Sequence, residues 1–529
     1  SSFVRPGVIV GGLMKRMGPR YDIKMRRSTR SRSNSAKTPR SQSNSRILKS
    51  IEPILITDSP EKPIRARRRS RKSSPLPVVR KRTRSRSKKK IIVPTKKNDT
   101  PIKKKKETVN TTHELIRYII KCASFDVRWI FSLILIEYVV TRGKSSMPLS
   151  YSKFFDLFTW KSHAYVGILI VTTFILSIIP FGHKVSAVLR NGKRQHFVLN
   201  GLIVYKVTIC GVLYCFYSNL VRPSYIMDNL NQIQTAMYMY AFVISCFLFV
   251  FYRNRDVPSK STVDISSSKT AKLIGWMEGF VNGYELNPQW LSVNLKLWLM
   301  NLSMILSSCV ALAVVFDVWS KTKITDIKNV SIDDLSVYLN CLSVLIMCAI
   351  FVNFNKWIVY TYGIMSSGLG FEFVNIFVFI THVGYLNLPL IHLYFYGSNR
   401  CLWAIVGGFM VSVIGLSTML KANLEKYNIK TRLMSHESKN IIGSGARRLY
   451  SGSLWGVVRH PNYLGNLIFY IGLSMHCQLS IIPWLLPLYT ILIVIKCISR
   501  VEESSKSRHG SNWVEYCRRV PFKLIPGLY

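Results

Sequence analysis

The chain has 529 residues and a formal net charge of +48, because 73 Lys and Arg face only 25 Asp and Glu. A charge this positive favours contact with an anionic polymer, an anionic surface, or both. Hydrophobic residues nevertheless make up 48% of the sequence. Their long uncharged runs exclude an ordinary water-soluble domain for much of the chain.

The first 110 residues are strongly basic and poor in aromatic residues. They hold 34 Lys and Arg against 6 Asp and Glu, and their only aromatic residues are Phe3 and Tyr21. Such a segment cannot bury enough apolar area to offset its ordering entropy. We therefore predict a disordered basic arm over residues 1–118. Because a segment rich in Lys and Arg resists translocation, we place it on the cytosolic or nucleoplasmic side of a membrane.

Arg and Ser alternate in three segments of the arm, RRSTRSRSNS (26–35), RARRRSRKSSP (65–75) and RKRTRSRSKKK (80–90). Unmodified arginines would bind DNA by neutralising its phosphates, with steep salt dependence and little sequence preference. A phosphate on a neighbouring hydroxyl adds about −1.5 to −2 charges, so SR-type and proline-directed kinases would switch this binding. The alternatives are a nuclear localisation signal, an inert solvated tail, or contact with the membrane surface alone.

The residues of the arm that carry this prediction fall into two sets. The predicted anion-binding arginines are Arg26, Arg27, Arg30, Arg32, Arg67, Arg68, Arg69, Arg71, Arg82, Arg84 and Arg86. The predicted phosphorylation sites are Ser28, Ser31, Ser33, Thr38, Ser59, Ser70, Ser74, Ser85 and Ser87.

Beyond the arm, apolar runs recur that approach the roughly 17 to 25 residues needed to cross a bilayer as a helix. They occupy residues 165–179, 197–217, 236–252, 295–316, 335–352, 373–388, 403–420, 464–475 and 481–498, with a weaker run at 129–140. We therefore predict an all-α polytopic membrane domain over residues 119–529, with about eight to ten transmembrane helices. The arm has no stretch apolar enough for a signal peptide, so the first span is expected to act as the signal anchor. The eleven cysteines have no regular spacing, which predicts neither a disulfide framework nor a metal site.

Five motifs with polar or glycine residues occur within the predicted membrane domain. LWGVVRHPNYLGN (454–466) places polar side chains between two apolar runs, and WVEYCRRVPFKLIPGLY (513–529) follows it. Upstream, GYELNP (283–288), GLGF (368–371) and NLEKYNIK (423–430) occur in that order. Polar residues within a membrane domain are costly, so these positions are candidates for function.

Together the five motifs resemble the sterol reductase family, which reduces the C14 or C7 double bond of sterols with NADPH. The resemblance covers residues 125–529 and implies a multispanning helical fold. It also implies that the residual NADPH-like pocket comprises Lys426, Lys430, Trp455, His460 and Asn462. A basic Arg/Ser-rich arm joined to such a domain resembles the lamin B receptors of the inner nuclear membrane. That likeness implies a B-type lamin, chromatin and DNA as partners of the arm arginines.

Charged positions of the family pattern are replaced in this chain, while its apolar, Gly and Pro positions remain. The replaced positions are Gly279, Gln289, Ser366, Ser367, Lys430, Asn466, Cys497 and Val501. This pattern is expected when a fold is retained and catalysis is lost. We therefore expect no catalytic residue and no required cofactor.

The pocket residues also have ordinary structural explanations. His460 and Asn462 would satisfy backbone groups where Pro461 and Gly465 break a membrane helix. The two lysines would lie in a solvated cytosolic loop, and the tryptophan would be an interfacial anchor.

The sequence thus predicts an anchor of the inner nuclear membrane, which is continuous with the endoplasmic reticulum. Its arm would tether lamina and chromatin, and membrane lipid and sterol are further candidate ligands. The alternative is an NADPH-dependent Δ14-sterol reductase of cholesterol- or ergosterol-type biosynthesis, in which other residues compensate for the replacements. A sensor that binds sterol or nucleotide without turnover is a third reading.

Overall fold

The structure is a computed structural model of the chain. It describes residues 102–140, 155–189, 192, 194–253, 269–322, 330–353, 355–376, 385–398, 401–431, 439–443 and 448–529. The predicted arginine and phosphorylation sites of the arm lie outside the described residues. Over the described residues the fold is mostly helical, which confirms the predicted fold class.

Helices account for most of the described chain. In order they are α1 (Ile102–Val140), α2 (Trp160–Ile178), α3 (Gly201–Tyr217), α4 (Pro223–Asp228), α5 (Leu230–Tyr252), α6 (Lys269–Asn282), α7 (Leu295–Thr322), α8 (Ile332–Asn353), α9 (Asn355–Ile358), α10 (Tyr362–Ser366), α11 (Phe371–Asn375), α12 (Leu388–Tyr396), α13 (Leu402–Lys430), α14 (Leu454–Val457), α15 (Pro461–Met475), α16 (Ile481–His509) and α17 (Ser511–Arg519). Six of the described helices are long and apolar enough to cross a membrane, namely α2, α5, α7, α8, α13 and α16.

Six such helices are fewer than the predicted eight to ten. α3 and α15 have 17 and 15 residues, or about 26 and 22 Å, which is short of the ~30 Å hydrocarbon core. In the run at 373–388 the structure describes α11 up to Asn375 and α12 from Leu388, and residues 377–384 lie outside the described residues. Pro389 in the first turn of α12 favours a new helix start there. The weak run at 129–140 forms the last part of α1.

Three antiparallel hairpins, which the all-α prediction did not include, lie between the helices. β1 (His183–Val188) pairs with β2 (Arg194–Leu199), β3 (Gln289–Trp290) with β4 (Val293–Asn294), and β5 (Ile441–Ile442) with β6 (Leu449–Tyr450). The first hairpin occupies the start of the run predicted as a span at 197–217. Phe197 is fully buried in a cluster with Trp357 and Ile364, so this hairpin is docked on the helices.

α1 joins the arm to the membrane domain. It is one helix of 39 residues that begins at Ile102, before the predicted boundary at residue 118. Toward its end, Ile136 and Val139 are fully buried in the main hydrophobic cluster. Residues 102–118, which the prediction assigned to the arm, therefore belong to the same helix whose last turns are packed in the core.

The closest helix pair is α13 and α15, which run antiparallel in backbone contact. A Cβ added to Gly415 would lie 2.3 Å from the Phe469 backbone nitrogen, and one on Gly465 would lie 2.5 Å from that of Met419. Such distances leave room only for hydrogen, so glycine is required at these positions. Small residues that let two backbones approach are a common packing solution for membrane helices.

The structure corrects the expectation that Gly465 breaks a helix. α15 begins at Pro461, as the missing N–H of proline favours, and continues unbroken through Gly465 to Met475. Gly465 is present for packing against α13. The α13–α15 contact fixes the ends of both helices relative to each other.

Gly415→Ala is expected to destabilise the protein by about 2 to 3 kcal/mol, because the added methyl group meets backbone atoms that cannot move aside. The measurement is the thermal unfolding midpoint of the full chain in neutral detergent. Gly407→Ala on the same helix is the matched control, since its Cβ would meet only the Met475 side chain, at 3.9 Å. Equal midpoints for the two variants would show that the close contact is not required.

Candidate functional site

The α13–α15 contact brings the last two turns of α13 beside the start of α15. Lys426 and Lys430 lie one helical turn apart in these turns and are half-buried. His460 immediately precedes α15 and is 5% exposed. The interpretation of the two lysines as part of a solvated loop is therefore wrong, because both belong to a helix that packs against α15.

Trp455 lies between the two helix ends. The Lys426 Nζ is 5.6 Å from the centre of the Trp455 ring, a distance typical of a cation–π contact. The indole N–H of Trp455 donates to the Ala422 carbonyl at 3.0 Å, and the Tyr516 hydroxyl donates to the Trp455 carbonyl at 3.2 Å. The polar group of this tryptophan is thus used inside the protein, which argues against a simple interfacial anchor.

Two arginines that the motifs did not identify extend the positive charge of these lysines. Lys430 Nζ donates to the Arg448 carbonyl at 3.4 Å, and Arg448 is 4% exposed. Arg508, near the end of α16, interacts electrostatically with both lysines. Four cations therefore lie in one partly desolvated region, where their repulsion is strong. An anion with several acceptor oxygens, such as a phosphate, is the ligand that this arrangement suits.

His460 belongs to a second charged group. Glu502 Oε1 lies 3.3 Å from Arg459 Nε, which is an ion pair, and 3.5 Å from His460 Nε2. Burial lowers the pKa of the His460 imidazole, although the Glu502 carboxylate opposes this shift. Arg459 also donates to Cys517 Sγ at 2.9 Å, which ties the group to α17.

The backbone around this histidine is held by the C-terminal segment. The Arg459 N–H donates to the Phe522 carbonyl at 2.9 Å, and the His460 N–H donates to the Lys523 carbonyl at 3.0 Å. Asn462 follows in the first turn of α15 and is half-buried. The structure thus brings Lys426, Lys430 and Trp455 together, with His460 close to Lys426 electrostatically.

The two upstream glycine motifs form a separate backbone contact. A Cβ on Gly283 of GYELNP would lie 2.3 Å from the Leu369 carbonyl carbon of GLGF. The Leu369 N–H donates to the Glu285 carbonyl at 3.0 Å. Fully buried Lys296 donates to the carbonyls of Gly363 and Ser367. These motifs thus hold α6, α7 and α11 together.

At two of the replaced positions, Gly279 and Gln289, the structure shows ordinary packing and hydrogen bonding. A Cβ on Gly279 would lie 2.1 Å from the Tyr284 ring, so the aromatic ring fills the space of an acidic side chain. Gln289 donates to the His196 carbonyl at 3.0 Å and thereby joins the first and second hairpins. Neither position retains a charge.

Sequence reasoning missed Glu372, Arg500 and Glu502. The last two could have been found from the sequence. The same alignment with the sterol reductase family that marks Cys497 and Val501 as replaced places Arg500 and Glu502 at positions where the family also has arginine and glutamate. Glu372 follows GLGF directly. It lies 3.3 Å from both Lys121 Nζ and Arg500 Nη1.

The chain is similar to several proteins that are named as sterol reductases. The chain is 24% identical over 371 residues to a protein of Arabidopsis thaliana named Delta(14)-sterol reductase, covering 65% of this chain and 89% of that one. It is 25% identical over 368 residues to a probable 7-dehydrocholesterol reductase of Acanthamoeba polyphaga mimivirus, covering 66% and 76%.

A third relative, from Gallus gallus, is named Delta(14)-sterol reductase LBR and is 24% identical over 369 residues, covering 66% of this chain and 53% of that one. The family described as Ergosterol biosynthesis ERG4/ERG24 matches residues 101–529, which include every helix described above. The chain therefore belongs to the ERG4/ERG24 family.

Proposed function

We propose that the protein is a membrane anchor of the inner nuclear membrane whose basic arm tethers lamina and chromatin, and whose reductase-like domain has lost turnover. The observation that carries this proposal is the separation of charge along the chain. Residues 1–110 hold a net +28 of the total +48, while the remainder supplies helices that are long and apolar enough to cross a membrane. The similarity to the chicken relative named Delta(14)-sterol reductase LBR supports the reductase-like part of this proposal.

The attachment of α1 supports the anchoring role. A tether must transmit load from the bound polymer to the bilayer, and α1 is one helix from Ile102 to the buried residues Ile136 and Val139. The arm arginines would bind a lamin or DNA through phosphate or carboxylate contacts. Phosphorylation of the neighbouring serines would weaken that contact.

The residues of the candidate site fit NADPH only in part. Lys426, Lys430, Arg448 and Arg508 would hold the phosphates of the cofactor, whose nicotinamide supplies a hydride when it is bound. The positions at Cys497, Val501 and Gly279 lack the charged groups that the family pattern has there. This combination favours binding without turnover.

An NADPH-dependent Δ14-sterol reductase is the second candidate function. The specific observation in its favour is that Arg448 and Arg508 lie near the two motif lysines, one of which, Lys426, contacts the Trp455 ring. These arginines are candidates to compensate for the charge lost at Cys497 and for the bidentate guanidinium that Lys430 lacks.

Expression of the full chain in cells that lack sterol C14 reductase is expected to leave the Δ14 sterol unconsumed, because charged positions of the family site are replaced. Mass spectrometry of the sterols is the measurement, with a catalytically active family member expressed in parallel as the control. Consumption of the Δ14 sterol above background by correctly inserted protein would reject loss of turnover and establish the second candidate.

The double substitution Cys497→Arg and Val501→Asp is expected to raise NADPH affinity by roughly tenfold, because a charged hydrogen bond contributes on the order of 1.5 kcal/mol. Fluorescence titration of NADPH with the purified full chain measures it. Ser499→Arg, which places the arginine of the double variant at an exposed position of α16 instead, should leave affinity unchanged. An equal rise in both variants would point to general electrostatics and away from the inferred register.

Binding of the full chain to duplex DNA is expected to weaken steeply, by at least roughly a hundredfold between about 50 and 200 mM salt, since it depends on phosphate neutralisation. Fluorescence anisotropy of labelled DNA measures the dissociation constant at each salt concentration. A chain with the eleven predicted arginines changed to Gln is the control and should bind more weakly with a shallower salt dependence, because fewer phosphates are neutralised. Salt-insensitive binding by the unaltered chain would contradict the proposed role of the arm.

A further inference from the structure

A small polar cavity lies where α2 ends and where α3 and α7 begin. Asn200 immediately precedes α3, Asn294 immediately precedes α7, and Asn301 lies within α7. All three side chains line the cavity, which we call the asparagine cavity. It shares no lining residue with the candidate site. Three carboxamides that converge on one cavity are typical of a binding site, where a few polar groups orient a ligand.

Asn200 supplies a hydrogen-bond acceptor. Its amide nitrogen donates to the Ser177 carbonyl at 2.9 Å and to the Ile179 carbonyl at 3.0 Å. These two bonds use both N–H groups of the amide, so its oxygen remains to accept from a donor. The same bonds fix the side chain between the end of α2 and the start of α3.

Asn294 supplies the complementary donor. Its Oδ1 accepts from the Leu297 N–H at 3.1 Å, which caps the start of α7. Its Nδ2 is buried and has no hydrogen-bond partner among the described residues. The whole residue is only 6% exposed. A buried amide N–H is costly without an acceptor, so this group favours a ligand that brings one.

Asn301 adds a third carboxamide, with both a donor and an acceptor. It shares one face of α7 with Leu297 and Trp298, which also line the cavity. The remaining lining side chains are two serines and two valines, so the cavity has no charged group. A charged ligand would find no counter-ion there, whereas a neutral hydroxyl or carbonyl would find hydrogen bonds. The space suits one group of the size of a hydroxyl or a water molecule.

An apolar path leads from the cavity wall to the surface of the bundle. The indole N–H of Trp298 donates to Thr173 Oγ1 at 3.2 Å, and the centre of its ring lies 5.2 Å from that of Phe174. The Phe174 ring lies 5.2 Å from Trp290, which lies 5.6 Å from Phe247 of α5. Trp290 and Phe247 are 41% and 42% exposed. Because α5 is long and apolar enough to cross a membrane, these exposed rings are placed to meet lipid tails.

The depth of the cavity matches the boundary of the hydrocarbon core. α2 and α7 are both long and apolar enough to cross a membrane, and the cavity lies where α2 ends at Ile178 and α7 begins at Leu295. The interfacial region of a bilayer begins at this level. The polar oxygens of membrane lipids therefore lie beside the asparagines, while their chains lie beside the aromatic rings.

We propose that the asparagine cavity binds the glycerol end of a diacylglycerol from the adjoining leaflet. The free hydroxyl enters the cavity, donates to Asn200 Oδ1 and accepts from Asn294 Nδ2. Asn301 donates to an ester carbonyl at the mouth of the cavity. The acyl chains extend over Trp290 and Phe247.

Other membrane lipids match these groups less well. A phospholipid headgroup carries charge, for which the cavity has no partner. A sterol has one hydroxyl oxygen, which would satisfy Asn200 and Asn294 but leave Asn301 without a ligand group. A diacylglycerol brings both a hydroxyl and ester carbonyls and no charge. The proposal does not rest on the tethering role, since it uses no residue of the arm or of the candidate site.

The experiment titrates 1,2-dioctanoylglycerol into the purified full chain in neutral detergent and measures binding by native mass spectrometry. The 3-O-methyl ether of the same lipid, dioctanoyl phosphatidic acid and cholesterol are titrated in parallel. The diacylglycerol is expected to bind roughly tenfold more tightly than its methyl ether, because the ether cannot donate to Asn200. It should also bind more tightly than the phosphatidic acid, whose charge is unpaired in the cavity.

Two variants test the cavity directly. Asn294→Asp keeps an oxygen to cap α7 but loses the donor, so diacylglycerol binding is expected to fall by at least roughly tenfold. Asn301→Leu, which removes the third carboxamide at similar volume, is expected to weaken binding by roughly fivefold. Asn353→Leu is the matched control, because this asparagine is exposed at the end of α8 and does not line the cavity.

The thermal unfolding midpoint shows whether a loss of binding reflects a loss of fold. Asn301→Leu is expected to keep the midpoint of the unaltered chain, since leucine suits an apolar helix. Equal affinity for diacylglycerol and its methyl ether would overturn the proposal and leave a site for an ordered water only. Unchanged affinity in both cavity variants would overturn it as well. Cholesterol binding that Asn294→Asp abolishes, without binding of diacylglycerol, would show a sterol site and reject the proposed ligand.

Discussion

The backbone contact between α13 and α15 determines where the polar residues of the candidate site lie. Glycines on both helices allow the two axes to approach until backbone atoms touch, and larger side chains would separate them. Lys426 and Lys430 extend from the end of one helix, and His460 begins the other. Their proximity follows from this contact, because no hydrogen bond links these lysines directly to the histidine. Packing of small residues thus supplies the geometry that the charged residues use.

Structure was best predicted from the sequence where one local pattern determines the element that forms. Apolar runs predicted most of the long helices, whereas Pro461 of the RHPNY motif, which was expected to mark a helix break with Gly465, is where α15 begins. The pairing of Glu372 with Lys121 joins residues 251 positions apart, and nothing in the local sequence of either residue specifies that contact. Arg448 and Arg508 likewise approach the site only through the fold.

Two carboxylates contact much of the described positive charge near the end of α16. Glu372 contacts Lys121 and Arg500, and Glu502 contacts Arg459 and His460. Because Arg500 and Glu502 are two residues apart on α16, one helix takes part in both ion-pair groups. Removing Glu372 would break its ion pairs with Lys121 and Arg500, and removing Glu502 would break its ion pair with Arg459. Because these pairs are partly buried, each loss would be more costly than that of one surface ion pair. Acidic groups are few in this part of the described chain, which also explains why the cations of the candidate site suit anionic ligands.

The unbroken course of α1 has a mechanical consequence. A helix of 39 residues is about 58 Å long, and a helix resists stretching far better than a flexible linker does. Tension applied at Ile102 would therefore reach the packed residues near Val139 with little extension on the way. Along that path the force passes Lys121, so the ion pair with Glu372 would bear shear before the buried end of the helix does. The protein would then yield first at a reversible electrostatic contact, and the hydrophobic attachment in the bilayer would be spared.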